Sequence, residues 1–130
     1  MIVVDASAIL EVLLNTSAGP RVAERLFAAG ETLHAPHLLD LEVAQVLRRF
    51  ARSGELDPAR GLQALGDLSD FPLTRYPHGV FLPRIWELRN NATAYDAVYL
   101  ALAEALEAPL VTRDTTLASA VAHGARVELI

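Results

Sequence analysis

No cysteine occurs among the 130 residues, which excludes disulfides, thiolate nucleophiles and Cys-type zinc sites together. A reducing compartment suits that composition, and secretion gains no support from it. Lysine is missing as well, since all 11 basic residues are arginine. P-loop NTPases need a lysine on the phosphates and Schiff-base enzymes need its amine; receiver domains and haloacid-dehalogenase-type phosphatases use one beside their aspartates. All four classes are excluded, and no Gly-x-Gly-x-x-Gly turn is present. Long apolar runs are also lacking. The longest, around Ala97 to Ala103, is broken by Glu104 and Glu107, far short of the ~20 residues a membrane-spanning helix requires. The apolar opening from Met1 to Leu14 carries Asp5 and Glu11 without a basic flank, so it does not read as a signal peptide, and a soluble protein with no membrane partner is expected. A net charge of -5 argues against a broadly basic nucleic-acid surface but leaves room for a local basic or metal-holding site.

What is present is a globular composition, 52% hydrophobic and 21% charged, at a length that suits a single domain over residues 1–130. Short apolar runs alternate with longer helical patterns, the order expected of an α/β domain around a parallel sheet. Strands are expected at Ile2–Val4, Thr32–Ala35, Leu73–Tyr76, Leu110–Thr112 and Val127–Leu129. Pro20 to Ala29, between Gly19 and Gly30, reads as a helix with Val22, Ala23, Leu26 and Phe27 on its core face. Phe81, Ile85 and Leu88 follow helical spacing in a segment ending near Arg89, and Asp57-Pro58 opens a further helix under an Asp cap. Thr93 precedes a run to Leu106 that is apolar nearly all round, the mark of a helix buried on several sides.

Four carboxylates stand out by position. Asp5 and Asp114 follow strands and precede helices, where either can serve simply as an N-cap. Asp96 fits a Thr93-x-x-Asp96 capping box. Glu42 is harder to explain, because on a helix from about His37 to Arg52 it shares an inward face with Leu38, Leu39 and Val46. A buried, unpaired carboxylate there needs a cation, a donor or a cleft. Asp40, about 200° round the same helix, reads as a surface acid favoured by the helix dipole. In a parallel layer the helices run antiparallel to the strands, so strand C-termini and helix N-termini share one edge. All four acids therefore converge on the rim where open α/β sheets bind ligands. Oxygen donors without Cys or paired His suit Mg²⁺ or Mn²⁺, which can activate water and polarise a phosphodiester. These residues alone point to a metal-dependent phosphodiesterase or phosphatase.

The same blocks resemble the PIN-domain nucleases, specifically the VapC-type toxins of type II toxin–antitoxin pairs. Ile2-Val3-Val4-Asp5-Ala6-Ser7-Ala8 is similar to the family's opening strand and first acid, and Ala35 to Ala44, with Glu42, to the segment carrying the second. Thr93-Ala94-Tyr95-Asp96-Ala97 with Tyr99 to Ala103 resembles the third-acid helix, and Pro109 to Asp114 the fourth-acid strand. The resemblance implies a PIN-like three-layer domain with a central, mainly parallel sheet of four to five strands flanked by helices. It also implies a Mg²⁺- or Mn²⁺-dependent, cytoplasmic endoribonuclease that cuts tRNA or a ribosomal RNA loop and so blocks translation. A homodimer and a cognate antitoxin follow from it too, the antitoxin wrapping the domain and pushing a basic side chain toward the acids.

On that footing Asp5, Asp96 and Asp114 are metal ligands, and Glu42 positions water on the metal. Ser7, Thr112 and Arg113 are supporting candidates: the two hydroxyls to orient water or a carboxylate, the guanidinium to grip phosphate or pair with a neighbouring acid. Arg48, Arg49 and Arg52 read as a solvated face. Tyr95, Tyr99, Tyr76 and Trp86 can stack on bases but more often fill cores or interfaces, and none of the four histidines shows ligand spacing. Competing readings are a housekeeping PIN nuclease, which the presence or absence of a neighbouring antitoxin gene would separate from a toxin, and a non-catalytic scaffold binding a basic peptide, indifferent to metal.

Overall fold

The structure, a computed structural model, describes residues 1–130. In chain order the elements are β1 (Ile2–Val4), α1 (Ala6–Leu13), α2 (Gly19–Leu26), β2 (Leu33–Pro36), α3 (Leu38–Ser53), α4 (Pro58–Asp70), β3 (Leu73–Tyr76), a 3-10 turn (Gly79–Phe81), α5 (Leu82–Glu87), α6 (Ala94–Leu106), β4 (Leu110–Thr112), α7 (Thr115–Ala118) and β5 (Val127–Leu129). The strands form one five-stranded sheet in the order β3-β2-β1-β4-β5, and every pair is parallel. Three-residue strands such as β1 and β4 are buried throughout, as expected where helices cover both faces.

From β1 the chain steps outward to β2 and β3, then crosses back to β4. Right-handed crossovers put α1–α4 on one face and α5–α7 on the other. Packing agrees, with α1 against α2, α3 and α4, and α5 against α6. The reversal lies between β1 and β4, so the residues following those two strands flank the switch point.

Several helix ends have a local cause. Asp57 caps α4 by accepting from the Ala59 amide at 2.9 Å, and Thr93 caps α6 by accepting from the Asp96 amide at 3.1 Å. Gly54 ends α3 at φ 81°, a left-handed cap that suits glycine. Gly19 is held by close approach: a Cβ there would lie 2.8 Å from the Glu11 carbonyl oxygen, so α2 can start against α1 only without a side chain.

Two expectations need correction. The second helix runs from Gly19 and stops at Leu26, short of Ala29, and Phe27, at its C-cap, meets the Phe71 ring at a tilt with centroids 5.5 Å apart. Phe27 is thus on the surface while Val22 and Leu26 fill the core. Asp40 is more than a dipole acid, since Arg75 of β3 pairs with it at 2.8 Å. α6 matches its reading, with Ala97 to Ala103 all buried. No helix is long and apolar enough to cross a membrane.

Candidate active site

The C-terminal edge of the sheet opens into a cavity of about 1030 Å³ whose walls include Asp5, Glu42, Asp96 and Asp114. β1 and β4 deliver Asp5 and Asp114 at the switch point, while α3, just past its first turn, delivers Glu42 and the first turn of α6 delivers Asp96. The face of α3 expected inside is the cavity wall: Leu39 is buried, but Leu38, Glu42 and Val46 are half-buried and line the opening.

The capping roles of Asp5 and Asp114 are real and coexist with cavity positions. Asp5, only 5% exposed, accepts at Oδ1 from the Ser7 hydroxyl at 2.7 Å and the Ala8 amide at 3.2 Å. Its Oδ2 accepts from the Thr112 hydroxyl at 2.6 Å. Asp114 caps α7 with Oδ1 alone, at 2.8 Å from the Thr116 amide and 3.3 Å from the Leu117 amide. Asp96 forms only half of a capping box: its amide donates to Thr93, while its carboxylate makes no hydrogen bond within the chain. Glu42 accepts at Oε1 from the Tyr99 hydroxyl at 2.5 Å.

None of the four acids forms an ion pair with an arginine. Burial pushes the Asp5 carboxyl above its ordinary range against the pull of the Thr112, Ser7 and Ala8 donors, and Asp114 adds to the rise. Glu42 is raised by burial first, partly offset by Tyr99, with Asp5, Asp96 and Asp114 raising it further. Asp96 is raised by burial, then by Asp114 and Asp5. Four acids so coupled form an anionic well that the chain itself leaves unneutralised.

The donor set fits a hard divalent cation, being carboxylate and hydroxyl oxygen only. As the side chains lie, no three acids or imidazoles stand close enough to hold one ion between them. Mg²⁺ characteristically keeps several waters and takes only one or two carboxylates directly, so water-bridged contacts suit this spacing.

The supporting candidates divide. Ser7 lines the cavity, and its hydroxyl accepts from the Arg113 amide at 2.9 Å while donating to Asp5. Thr112 is wholly buried, bound to Asp5 and accepting from the Asp114 amide at 2.9 Å, so it joins the two switch-point acids. The Arg113 guanidinium turns away to Glu11 at 3.1 Å and to the Ile130 carbonyl at 2.9 Å. Arg48 and Arg49 are exposed as expected, yet both also line the cavity beyond Glu42. Tyr95 stands 64% exposed at its mouth. Tyr76 instead binds the buried His34 at 2.7 Å, and Trp86 carries Arg89 over its ring at 4.8 Å. Tyr99 fills the core, the commoner of its two expected roles, but its bond to Glu42 was not foreseen; the signal was the three-residue step from Asp96 to Tyr99, which puts both on one face of α6.

Known proteins resemble this chain in sequence and in fold. Residues 2–123 match the PIN domain family. Ribonuclease VapC9 of Mycobacterium tuberculosis is 51% identical over 117 residues, covering 90% of this chain and 88% of that protein. Ribonuclease VapC12 of the same organism is 41% identical over 130 residues, covering 100% of this chain and 99% of the relative. In shape, VapBC2 of Rickettsia felis, solved bound to a DNA fragment from its promoter, aligns with a TM-score of 0.69 over 99% of this chain and 98% of that one. At 15% identity that last likeness is one of fold.

Proposed function

Because this chain belongs to the PIN-domain family and, within it, to the VapC ribonucleases, we propose that it is the toxin of a toxin–antitoxin pair, an endoribonuclease that blocks translation by cutting tRNA or a ribosomal RNA loop. The observation that carries the reading is the cavity itself: four carboxylates at the switch point, mutually repelling and none paired to an arginine. A single domain over residues 1–130 performs the work, in the cytoplasm where those RNAs are.

Asp5, Asp96 and Asp114 would hold Mg²⁺ or Mn²⁺, directly or through water, and Glu42 would hold it through water. When bound, such an ion lowers the pKa of a coordinated water and polarises the phosphodiester. Asp5 is presented by the Ser7 and Thr112 hydroxyls, which fix its carboxylate plane. Glu42, with Oε1 held by Tyr99, accepts the proton of the attacking water at Oε2. Water adds to phosphorus as the bond to the 3′ oxygen breaks, leaving a 5′-phosphate and a 3′-hydroxyl. Arg48 and Arg49, at the far end of the cavity, are placed to meet RNA phosphates, and Arg113 serves by anchoring Glu11.

The partners follow from the same surface. Leu10, Leu14, Leu38, Leu41 and Phe50 continue the cavity wall away from the acids, which suits an apolar antitoxin segment with a basic side chain directed at the carboxylates. Val80, Leu82 and Trp86, each more than half exposed, give apolar surface for a homodimer.

The test is to incubate the protein, freed of any co-purifying partner, with total bacterial RNA and Mg²⁺ or Mn²⁺, beside a chelated sample and Asp5→Asn, and to sequence the RNA ends. Discrete cuts bearing 5′-phosphates, lost in both controls, are expected. Intact RNA from folded, metal-bound protein contradicts the reading.

A further inference from the structure

We propose that Tyr99 is a positioning residue for the hydrolysis: its hydroxyl pins Glu42 by one oxygen and thereby keeps the other available to the acid cavity. This rests on the ribonuclease reading above and goes beyond it, since it assigns a role to a side chain that touches neither RNA nor an ion. Tyr99 is 2% exposed, which bars it from stacking on a base. Its phenol reaches from α6, on one face of the sheet, to α3, on the other, and donates to Glu42 Oε1 at 2.5 Å. That is the one hydrogen bond the Glu42 side chain makes to the chain, so Oε2 has no protein partner.

Glutamate has three side-chain torsions, and a half-buried carboxylate without a donor would swing between the cavity and the edge of α3. The Tyr99 hydroxyl removes that freedom. Asp96 lies one turn earlier on the same face of α6, so a single rigid helix places its own acid in the cavity and holds the acid of α3 beside it. Near-complete burial of Tyr99 in the core fixes the phenol itself, as required of a group that orients another.

The test compares wild type, Tyr99→Phe, Glu42→Gln and the double variant with Mn²⁺. Phenylalanine keeps the ring and its packing, and removes only the hydroxyl. Tyr99→Phe is expected to lower kcat roughly 10-fold at unchanged KM, the scale on which orienting partners of metal-site groups act. In the Glu42→Gln background the same change should cost nothing further, because there is no carboxylate left to position. A second readout needs no turnover: Mn²⁺ affinity by calorimetry should fall in Tyr99→Phe, again with no additional loss in the double variant. Full kcat and Mn²⁺ affinity in Tyr99→Phe overturn the proposal. So does a further loss in the double variant, which would mean that the hydroxyl acts through the fold. If wild type cuts no RNA, the ribonuclease reading falls, while calorimetry still decides whether Tyr99 acts through Glu42.

Discussion

α6 carries an acid near each end, and the two have opposite surroundings. Glu104, in its last turn at the N-terminal edge of the sheet, accepts from Arg84 at 2.9 and 3.0 Å and from the Gly124 amide at 2.8 Å. Those bonds hold its carboxyl below the ordinary range. Asp96, in the first turn at the C-terminal edge, accepts nothing from the chain and is pushed up by burial and by the charges of Asp114 and Asp5. The same split holds beyond α6: Glu31, just before β2, pairs with Arg25 at 3.1 Å, while Asp5 and Glu42 have no arginine. Arginine is not scarce near the upper edge, because Arg113 adjoins Asp114 yet is committed to Glu11. Glu104 and Glu31 at the lower edge complete their charge within the fold, as does Asp40 on the outer side of α3 through Arg75. The four acids of the cavity have no arginine partner and leave theirs to be completed from outside, which is the electrostatic signature of a functional site.

Substituting the two ends of α6 should separate these roles. Asp96→Asn is expected to reduce kcat by roughly 10²–10³-fold, the range for removing one preorganised transition-state group, as read by end-labelled RNA cleavage. Glu104→Gln should leave cleavage unchanged and cost about 1–3 kcal/mol in urea unfolding, through lost charge-assisted hydrogen bonds. Equal loss of activity in both variants would erase the distinction.

The smallest effect is in pH. Asp5, Glu42 and Asp96 have raised pKa values in the fold, so between the ordinary carboxylate range and their folded values the native state holds more protons than the unfolded chain. Their stabilising contribution is complete at low pH and is lost as pH rises through the folded values. Glu104 is depressed, so its contribution is present above the ordinary range and is lost as pH falls through its folded value. Metal-free Asp96→Asn should therefore show a shallower decline toward neutral pH than wild type, and Glu104→Gln a shallower decline on the acid side, both measured by urea midpoints across pH.

Much of this was legible in the sequence because its signals are local. An aspartate after an apolar run, or an acid in a first helical turn, fixes its own edge of a parallel sheet, and that brought Asp5, Glu42, Asp96 and Asp114 to one rim. All five strands were readable from short apolar runs bounded by turn residues. What escaped depends on contacts between distant segments. Tyr99 and Glu42 are 57 residues apart, and Arg113 and Glu11 are 102 apart, so no periodicity couples them. Phe27, 49% exposed, lies off the expected core face and meets Phe71, 44 residues further along the chain. That Arg48 and Arg49 share the acids' cavity follows from how α3 lies along α1, which spacing within α3 alone does not specify.

The central claim is that the upper-edge acids are held unpaired for a divalent cation, and thermal melting of wild type and Asp96→Asn across a Mn²⁺ titration at neutral pH tests it most directly. Without metal, Asp96→Asn should melt above wild type, since it removes repulsion and breaks no hydrogen bond made by its side chain. Mn²⁺ should then raise wild type, by about 2.7 kcal/mol at one hundred times the dissociation constant, and raise the variant far less. A wild type indifferent to Mn²⁺, or a metal-free Asp96→Asn less stable than wild type, would contradict the account.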